Sequence, residues 1–293
     1  MARERPYSLA VTLTALLLVL AAAVIHAAWN ALAKRAADPT SFLWSAAALG
    51  TVLYLPAAVW ALHVHGASLA ALPFVVATIL LHAVYYVALG RAYREADYSL
   101  VYPVARGLGV VLVPALALVI FDERLSALGT AGIALVVVGI FCLHWRRGAG
   151  RARHLDAGIG WAVVTGLTIA SYSLVDKAGV SRMHPFAYIA LMELGASLVL
   201  LPVVLARRER LAHEWRTNRT AIVLTAALSP GAYLLVLFAF QLSKVAYVVA
   251  GREMSIVLSA LIGSLWMHEG ALGRRLAGAA VILAGVACVA LAR

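Results

Sequence analysis

The chain has 293 residues, 64% of them hydrophobic and 13% charged, with 24 Lys and Arg against 13 Asp and Glu for a net charge of +11; its mean hydropathy is +0.93. Soluble chains carry about a quarter charged residues, so a water-soluble globular protein is excluded, and apolar runs of about 20 residues exclude a β-barrel, whose segments are about half as long. The positive charge does not point to nucleic acid, because the arginines sit in short segments such as "RRGAGRARH" and "RRERLAHEWRTNR", where they set membrane orientation and meet lipid head groups.

Ten spans are predicted, at roughly 8–33, 41–62, 69–91, 98–121, 126–145, 157–178, 185–206, 220–242, 245–267 and 271–291. The first imitates a secretory leader, but its apolar run of about 25 residues is longer than a leader's core, so it is read as a retained transmembrane helix. Its His26, Trp29, Asn30 and Lys34 share one face. The third span presents His82, Tyr85, Tyr86, Leu89 and Tyr93 as a stripe, either a cavity wall or aromatic packing. The fourth is apolar apart from Arg106, with Tyr98 and Tyr102 on the same stripe at intervals of four residues.

Glu123 follows that span and Glu269 precedes the tenth; both are expected to fix loop geometry, for instance by capping the fifth and tenth helices. In the second half of the chain, Thr165, Thr168, Tyr172 and Asp176 align on the sixth span, Glu193 lies within the seventh and Tyr233 within the eighth. Arg252 and Glu253 interrupt the ninth, where Arg252, Ser255 and Ser259 share a face. The longest polar loops are expected at 146–156 and 207–219. Cys142 and Cys288 fall inside apolar spans and read as helix-packing residues, with no disulfide, metal site or cofactor implied.

A shift of 146 residues superimposes Pro39 on Pro185, Pro56 on Pro202, Arg106 on Arg252, Glu123 on Glu269, Gly132 on Gly278, Gly139 on Gly285 and Cys142 on Cys288; Lys34 meets Lys177 at a shift of 143. The chain therefore reads as two five-helix repeats, residues 1–148 and 149–293. An odd number of crossings inserts the second unit upside down, which predicts a pseudo-two-fold axis in the membrane plane, the arrangement of secondary transporters. The fold expected is an all-α integral membrane protein of ten helices around a central cavity, lined by helices 1, 3, 4, 6, 8 and 9.

A charge at mid-membrane costs about 2.5–3.5 kcal/mol on insertion scales, so Arg106 and Arg252 should face protein or water. They serve either as anchors for a substrate carboxylate, gripped in a bidentate fork, or as helix glue tied to Glu193 or Glu253. The candidate substrate-binding residues are Arg106, Arg252, His82, Tyr85, Tyr102, Trp29, Asn30, Tyr172 and Tyr233. His26 and His82 are candidates for a proton relay and equally for structural hydrogen bonds. No sequence signature of membrane catalysis is present: there is no H-E-x-x-H, no G-x-S-x-G and no phosphate-binding glycine loop.

The segments "HAAWNALAKR", "VYYVALGRAYREADYSLVYPVARG", "FDERLSALGTAGIALVVVGI" and "MHEGALGRRLAGAAVILAGV" resemble the EamA-type repeat of the drug/metabolite transporter superfamily. The resemblance implies a multi-pass protein of the bacterial cytoplasmic (inner) membrane, a monomer whose partners are lipid and a small-molecule substrate, with both termini inside. The loop charges argue the opposite orientation, because Lys and Arg are more numerous on the side away from the N-terminus. The small four-helix exporters of the superfamily carry a lone Glu in helix 1, where this chain offers His26, Trp29 and Asn30. The function expected is export of small zwitterionic or anionic metabolites, amino acids foremost and aromatic ones among them, by alternating access. Multidrug or cation export, with Glu193 or Glu253 as the required carboxylate, is the alternative, and a membrane-embedded enzyme the remote one.

Overall fold

The computed structural model describes residues 12–33, 36–95, 98–144, 155–258 and 272–292. All its regular structure there is helical: α1 (Leu13–Ala33), α2 (Pro39–His65), a 3-10 turn at Leu69–Ala71, α3 (Leu72–Glu95), α4 (Tyr98–Phe121), α5 (Ala127–His144), α6 (Leu155–Val180), α7 (Pro185–Leu205), α8 (Arg208–Thr217), α9 (Arg219–Leu242), α10 (Val245–Arg252) and α11 (Leu272–Leu291). Seven of these helices contain stretches long and apolar enough to cross a membrane, and two shorter apolar segments lie at Ala127–Cys142 and Leu276–Leu291. With no water in the hydrocarbon, backbone groups are satisfied within each helix, and this is an integral, multi-pass membrane protein.

Helix starts follow local chemistry. Asp38 caps α2 by accepting from the Ser41 backbone N–H at 3.1 Å and from the Ser41 hydroxyl at 2.6 Å, and His184 Nδ1 accepts from the Phe186 N–H at the start of α7. Each cap precedes a proline at the first helical position, where a missing N–H costs nothing.

Helix α5 packs on α11, α3 on α6 and α7, α1 on α9 and α10, α2 on α7 and α9, and α4 on α6. Glycines set the closest approach. A Cβ on Gly132 would stand 2.7 Å from the Gly285 carbonyl oxygen, and one on Gly139 would stand 3.0 Å from that of Gly278. Rising numbers on α5 meet falling numbers on α11, so the two run antiparallel, with small residues letting their backbones touch. Exchanging α1–α5 for α6, α7, α9, α10 and α11 in that order returns the same pairs: α3 on α6 becomes α9 on α1, and α2 on α9 becomes α7 on α3.

Several local expectations are corrected. The segment 207–219, read as a polar loop, contains the helix α8. Its Glu214 is fully buried and accepts from the Asp38 backbone N–H at 2.6 Å and from Asn218 Nδ2 at 2.8 Å. Trp215 Nε1 donates to Ser45 Oγ at 3.0 Å, and Arg207 and Arg210 approach Asp38 to 3.8 and 3.5 Å. Burial acts against the charged Asp38, but the Ser41 hydrogen bonds and the two arginines outweigh it and hold the carboxyl below its ordinary value. The ninth span is not one uninterrupted helix: α10 ends at Arg252, Glu253 forms a turn and residues 254–258 are helical again. Cys142 is exposed on the bundle exterior rather than packed inside. The first eleven residues, Lys34, Ser259 and Glu269 lie outside the described residues.

Candidate substrate site

Helix α4 carries Arg106 inward, and the turn after α10 presents Glu253 to it. The two form a fork: Nη2 to Oε1 at 2.8 Å and Nε donating to Oε2 at 3.1 Å, with side chains only 11% and 3% exposed. Of the two glutamates that could hold Arg106, the geometry selects Glu253. Arg252 takes a different partner, its guanidinium carbon lying 5.2 Å from the centre of the Tyr233 ring. It is also within electrostatic reach of Glu253 and of His26, and no carboxylate among the described residues lies within ion-pair distance of it. One carboxylate therefore faces two guanidiniums.

Around this pair stands a polar and aromatic cluster. Asp176 of α6 is fully buried; its Oδ1 accepts from the Tyr188 hydroxyl at 2.8 Å and its Oδ2 from the Tyr233 hydroxyl. Tyr172 lies one turn before it, with its ring 4.4 Å from His82 and 5.9 Å from Tyr85. His82 Nδ1 lies 2.9 Å from the Thr78 carbonyl; a carbonyl only accepts, which assigns the ring proton to Nδ1 and leaves Nε2 as the acceptor of the neutral imidazole. Helix α1 adds His26 and Trp29 in edge contact at 4.8 Å, and Asn30, whose Nδ2 donates to the His26 carbonyl at 2.7 Å. The buried Trp29 Nε1 has no hydrogen-bond partner among the described residues.

The structure thus brings together Arg106, Arg252, His82, Tyr85, Tyr172 and Tyr233 with Glu253, and places His26, Trp29 and Asn30 on α1. The side chain of Tyr102 lies outside the described residues. Thr165 and Thr168 bond to carbonyls of their own helix. Sequence reasoning missed Tyr188, whose position in an apolar helix start gave no sign of a partner on α6.

A second cluster ties the end of α4 to the start of α10. Glu123 does not cap α5; its two oxygens accept from the Val245 N–H at 3.1 and 2.9 Å, the first turn of α10. Lys177 Nζ, 3.8 Å from Glu123, donates to the Ser243 carbonyl at 2.7 Å and to that of Phe240, closing the C-terminal end of α9. Burial pushes the Glu123 carboxyl above its ordinary value, opposed by Lys177 and by the N–H groups of Val245 and Ala246. Beside Phe186, the His184 ring stacks on His65 at 4.6 Å, and burial followed by the His65 charge holds it below its ordinary value. No group of three or more His, Cys, Asp or Glu side chains among the described residues is placed to hold a metal ion.

Residues 156–291 match the model of the EamA-like transporter family, and residues 44–136 match that of the Small Multidrug Resistance protein. No curated protein matches the chain. Among 29 matching solved chains, one crystal structure is 17% identical, covers 94% of this chain and 96% of its own, and superposes with a TM-score of 0.71. That likeness is one of fold. Both matched models describe membrane transporters of small substrates, and together the matches are consistent with the EamA-type drug/metabolite transporter superfamily.

Proposed function

We propose that this chain is a secondary transporter of the bacterial cytoplasmic membrane that exports small zwitterionic or anionic metabolites, amino acids and aromatic ones among them. Its ten crossings form two inverted repeats, 1–148 and 149–293, that alternate access to a central site. The observation that carries the substrate class is the charge imbalance at the pair: Glu253 neutralises Arg106 in a fork, while Arg252 keeps its donors for a substrate carboxylate. Tyr172, Tyr85 and Tyr233 supply ring faces for an apolar side chain. Inversion is supported by the glycine contacts. The 146-residue shift turns the Gly132–Gly285 contact into the Gly278–Gly139 contact between the same antiparallel helices, as a two-fold axis perpendicular to both would do.

Proteoliposomes loaded with labelled amino acids test the reading. Arg252→Ala should abolish efflux of carboxylate substrates while the protein stays folded; undiminished efflux from that variant refutes the anchor. The match to the Small Multidrug Resistance model favours a second reading, export of lipophilic cations. The pairing of Glu253 with Arg106 argues against that carboxylate serving it, and cation efflux from the same vesicles decides between the two.

A further inference from the structure

The embedded charges at the site are each met by a neighbour: Arg106 by Glu253, Asp176 by two tyrosine hydroxyls, Lys177 by two carbonyls and Arg252 by the Tyr233 ring. Glu193 is different. It lies near the middle of the 21-residue α7, with no donor at hydrogen-bond distance and no cation at ion-pair distance among the described residues. Helical spacing puts it on the same face as Ile189, Ala196 and Ser197, which are 0%, 5% and 7% exposed. Glu193 itself is half-buried on that face, which otherwise turns into the bundle.

Two other under-bonded polar groups share the neighbourhood. The Ser197 hydroxyl, one turn along α7, is buried and has no hydrogen-bond partner among the described residues; the Ser197 carbonyl is already taken by Trp44 Nε1 of α2 at 2.9 Å. From α3, Tyr86 is the titratable group within electrostatic reach of Glu193. No charged group of α2, α6, α8 or α9 among the described residues bears on it. A carboxylate in such surroundings is stabilised either by a cation or by a proton, and three uncharged or singly acidic oxygen groups suit the smaller of these.

We propose that Glu193 is the proton-carrying group of the transport cycle, separate from the Arg106–Glu253–Arg252 substrate site. The carboxylate takes a proton while the site faces one side of the membrane and becomes a neutral carboxylic acid. It returns that proton to water on the other side of the membrane. This rests on the transporter reading above and adds its energy source: substrate export exchanges for inward proton movement.

Two measurements test it. N,N′-dicyclohexylcarbodiimide adds to protonated carboxyls in apolar surroundings and leaves an N-acylurea. On the intact protein in vesicles, mass spectrometry should find Glu193 modified, with modification falling as pH is raised, and Glu253 less modified because its two oxygens are engaged by Arg106. Absent or pH-independent labelling of Glu193 overturns the proposal, and this result does not depend on the substrate having been identified. In vesicles, E193Q should reduce accumulation driven by a pH gradient to the level of empty vesicles, with substrate counterflow continuing. Accumulation that survives E193Q, accumulation that follows a sodium gradient at fixed pH, or simultaneous loss of counterflow overturns it. If no amino acid is transported but Glu193 labels as described, the substrate reading falls and the proton site stands.

Discussion

The Arg106–Glu253 fork makes a quantitative prediction about stability. Two charge-assisted hydrogen bonds of 2.8 and 3.1 Å join groups that are 11% and 3% exposed, so removing either partner strands a charge out of water. Breaking a buried pair in this way costs about 3–5 kcal/mol, whereas replacing both members by apolar side chains of similar volume is close to neutral. The two single variants should not be equal. Arg106→Met leaves Glu253 within reach of Arg252 and should fall near the lower figure. Glu253→Met leaves two guanidiniums with no carboxylate between them and should fall near the upper one, a loss of roughly three and a half orders of magnitude in the folded-to-unfolded ratio, at about 1.4 kcal/mol per order. The double variant should be more stable than either single one. Equilibrium unfolding in mixed detergent micelles, followed by circular dichroism, measures all three. If the two single costs simply add in the double variant, the pair is not coupled and the geometric argument fails. A milder change, Glu253→Gln, keeps an acceptor for Arg106 but no charge, and should lower folded yield more than it alters substrate preference.

Other outcomes follow from contacts of the same kind. Gly132→Ala should destabilise the bundle by about 1–3 kcal/mol, because its Cβ would meet the Gly285 carbonyl at 2.7 Å and the Val289 nitrogen at 2.9 Å, both backbone atoms that cannot swing aside; unfolding in detergent would show it. Asp38 has a folded-state affinity for protons below its ordinary value of 3.8, so its contribution is complete above that pH and is lost as pH falls further. Asp38→Asn should therefore remove an acid-side component of the stability profile. His184, held below its ordinary value of 6.5, contributes stability that is present above that value and is lost as pH falls through it and the ring charges beside His65. His184→Asn keeps a helix-capping acceptor and should flatten the profile between about pH 7 and about pH 5. Asp122 adopts a left-handed φ of 50°, so Asp122→Gly should raise stability by a fraction of 1 kcal/mol, on the order of the strain that a side chain meets there.

What the sequence revealed was whatever repeats or is periodic. Apolar runs marked the spans, and the 146-residue offset paired residues that have no local signal at all, Arg106 with Arg252 and Gly132 with Gly278. What stayed hidden was long-range partnership. Glu253 adjoins Arg252 in the sequence, yet its oxygens fork the guanidinium of Arg106, 147 residues away. Glu123 sits just before α5 and so reads as its cap, yet the left-handed turn at Asp122 aims it at the Val245 N–H, 122 residues on. The helix α8 was hidden for another reason. In "RERLAHEWRT" the polar residues outnumber the few apolar ones, so the window reads as loop; what fixes it is the burial of Glu214 on the Asp38 backbone, a tertiary contact.

Apart from the exposed Asp122–Arg124 pair, the ion pairs among the described residues share a property that the helix packing alone does not supply. Arg106 pairs with Glu253, Glu123 with Lys177, and Asp38 with Arg207 and Arg210, and each joins a residue before 148 to one after 149. Within lipid, apolar side chains gain little by choosing one another over acyl chains, so close backbone contact and polar bonds decide which helices associate. Here the charged bonds fall across the boundary between the halves. On the alternating-access cycle proposed above, motion of one half against the other would break or re-form some of these bonds, and each one that breaks has to be answered by water, substrate or a proton if the charge is not to be stranded. Charges that bridge the halves are therefore the groups whose substitution should change the rate of conformational exchange, whereas the glycine contacts between α5 and α11 should govern stability alone.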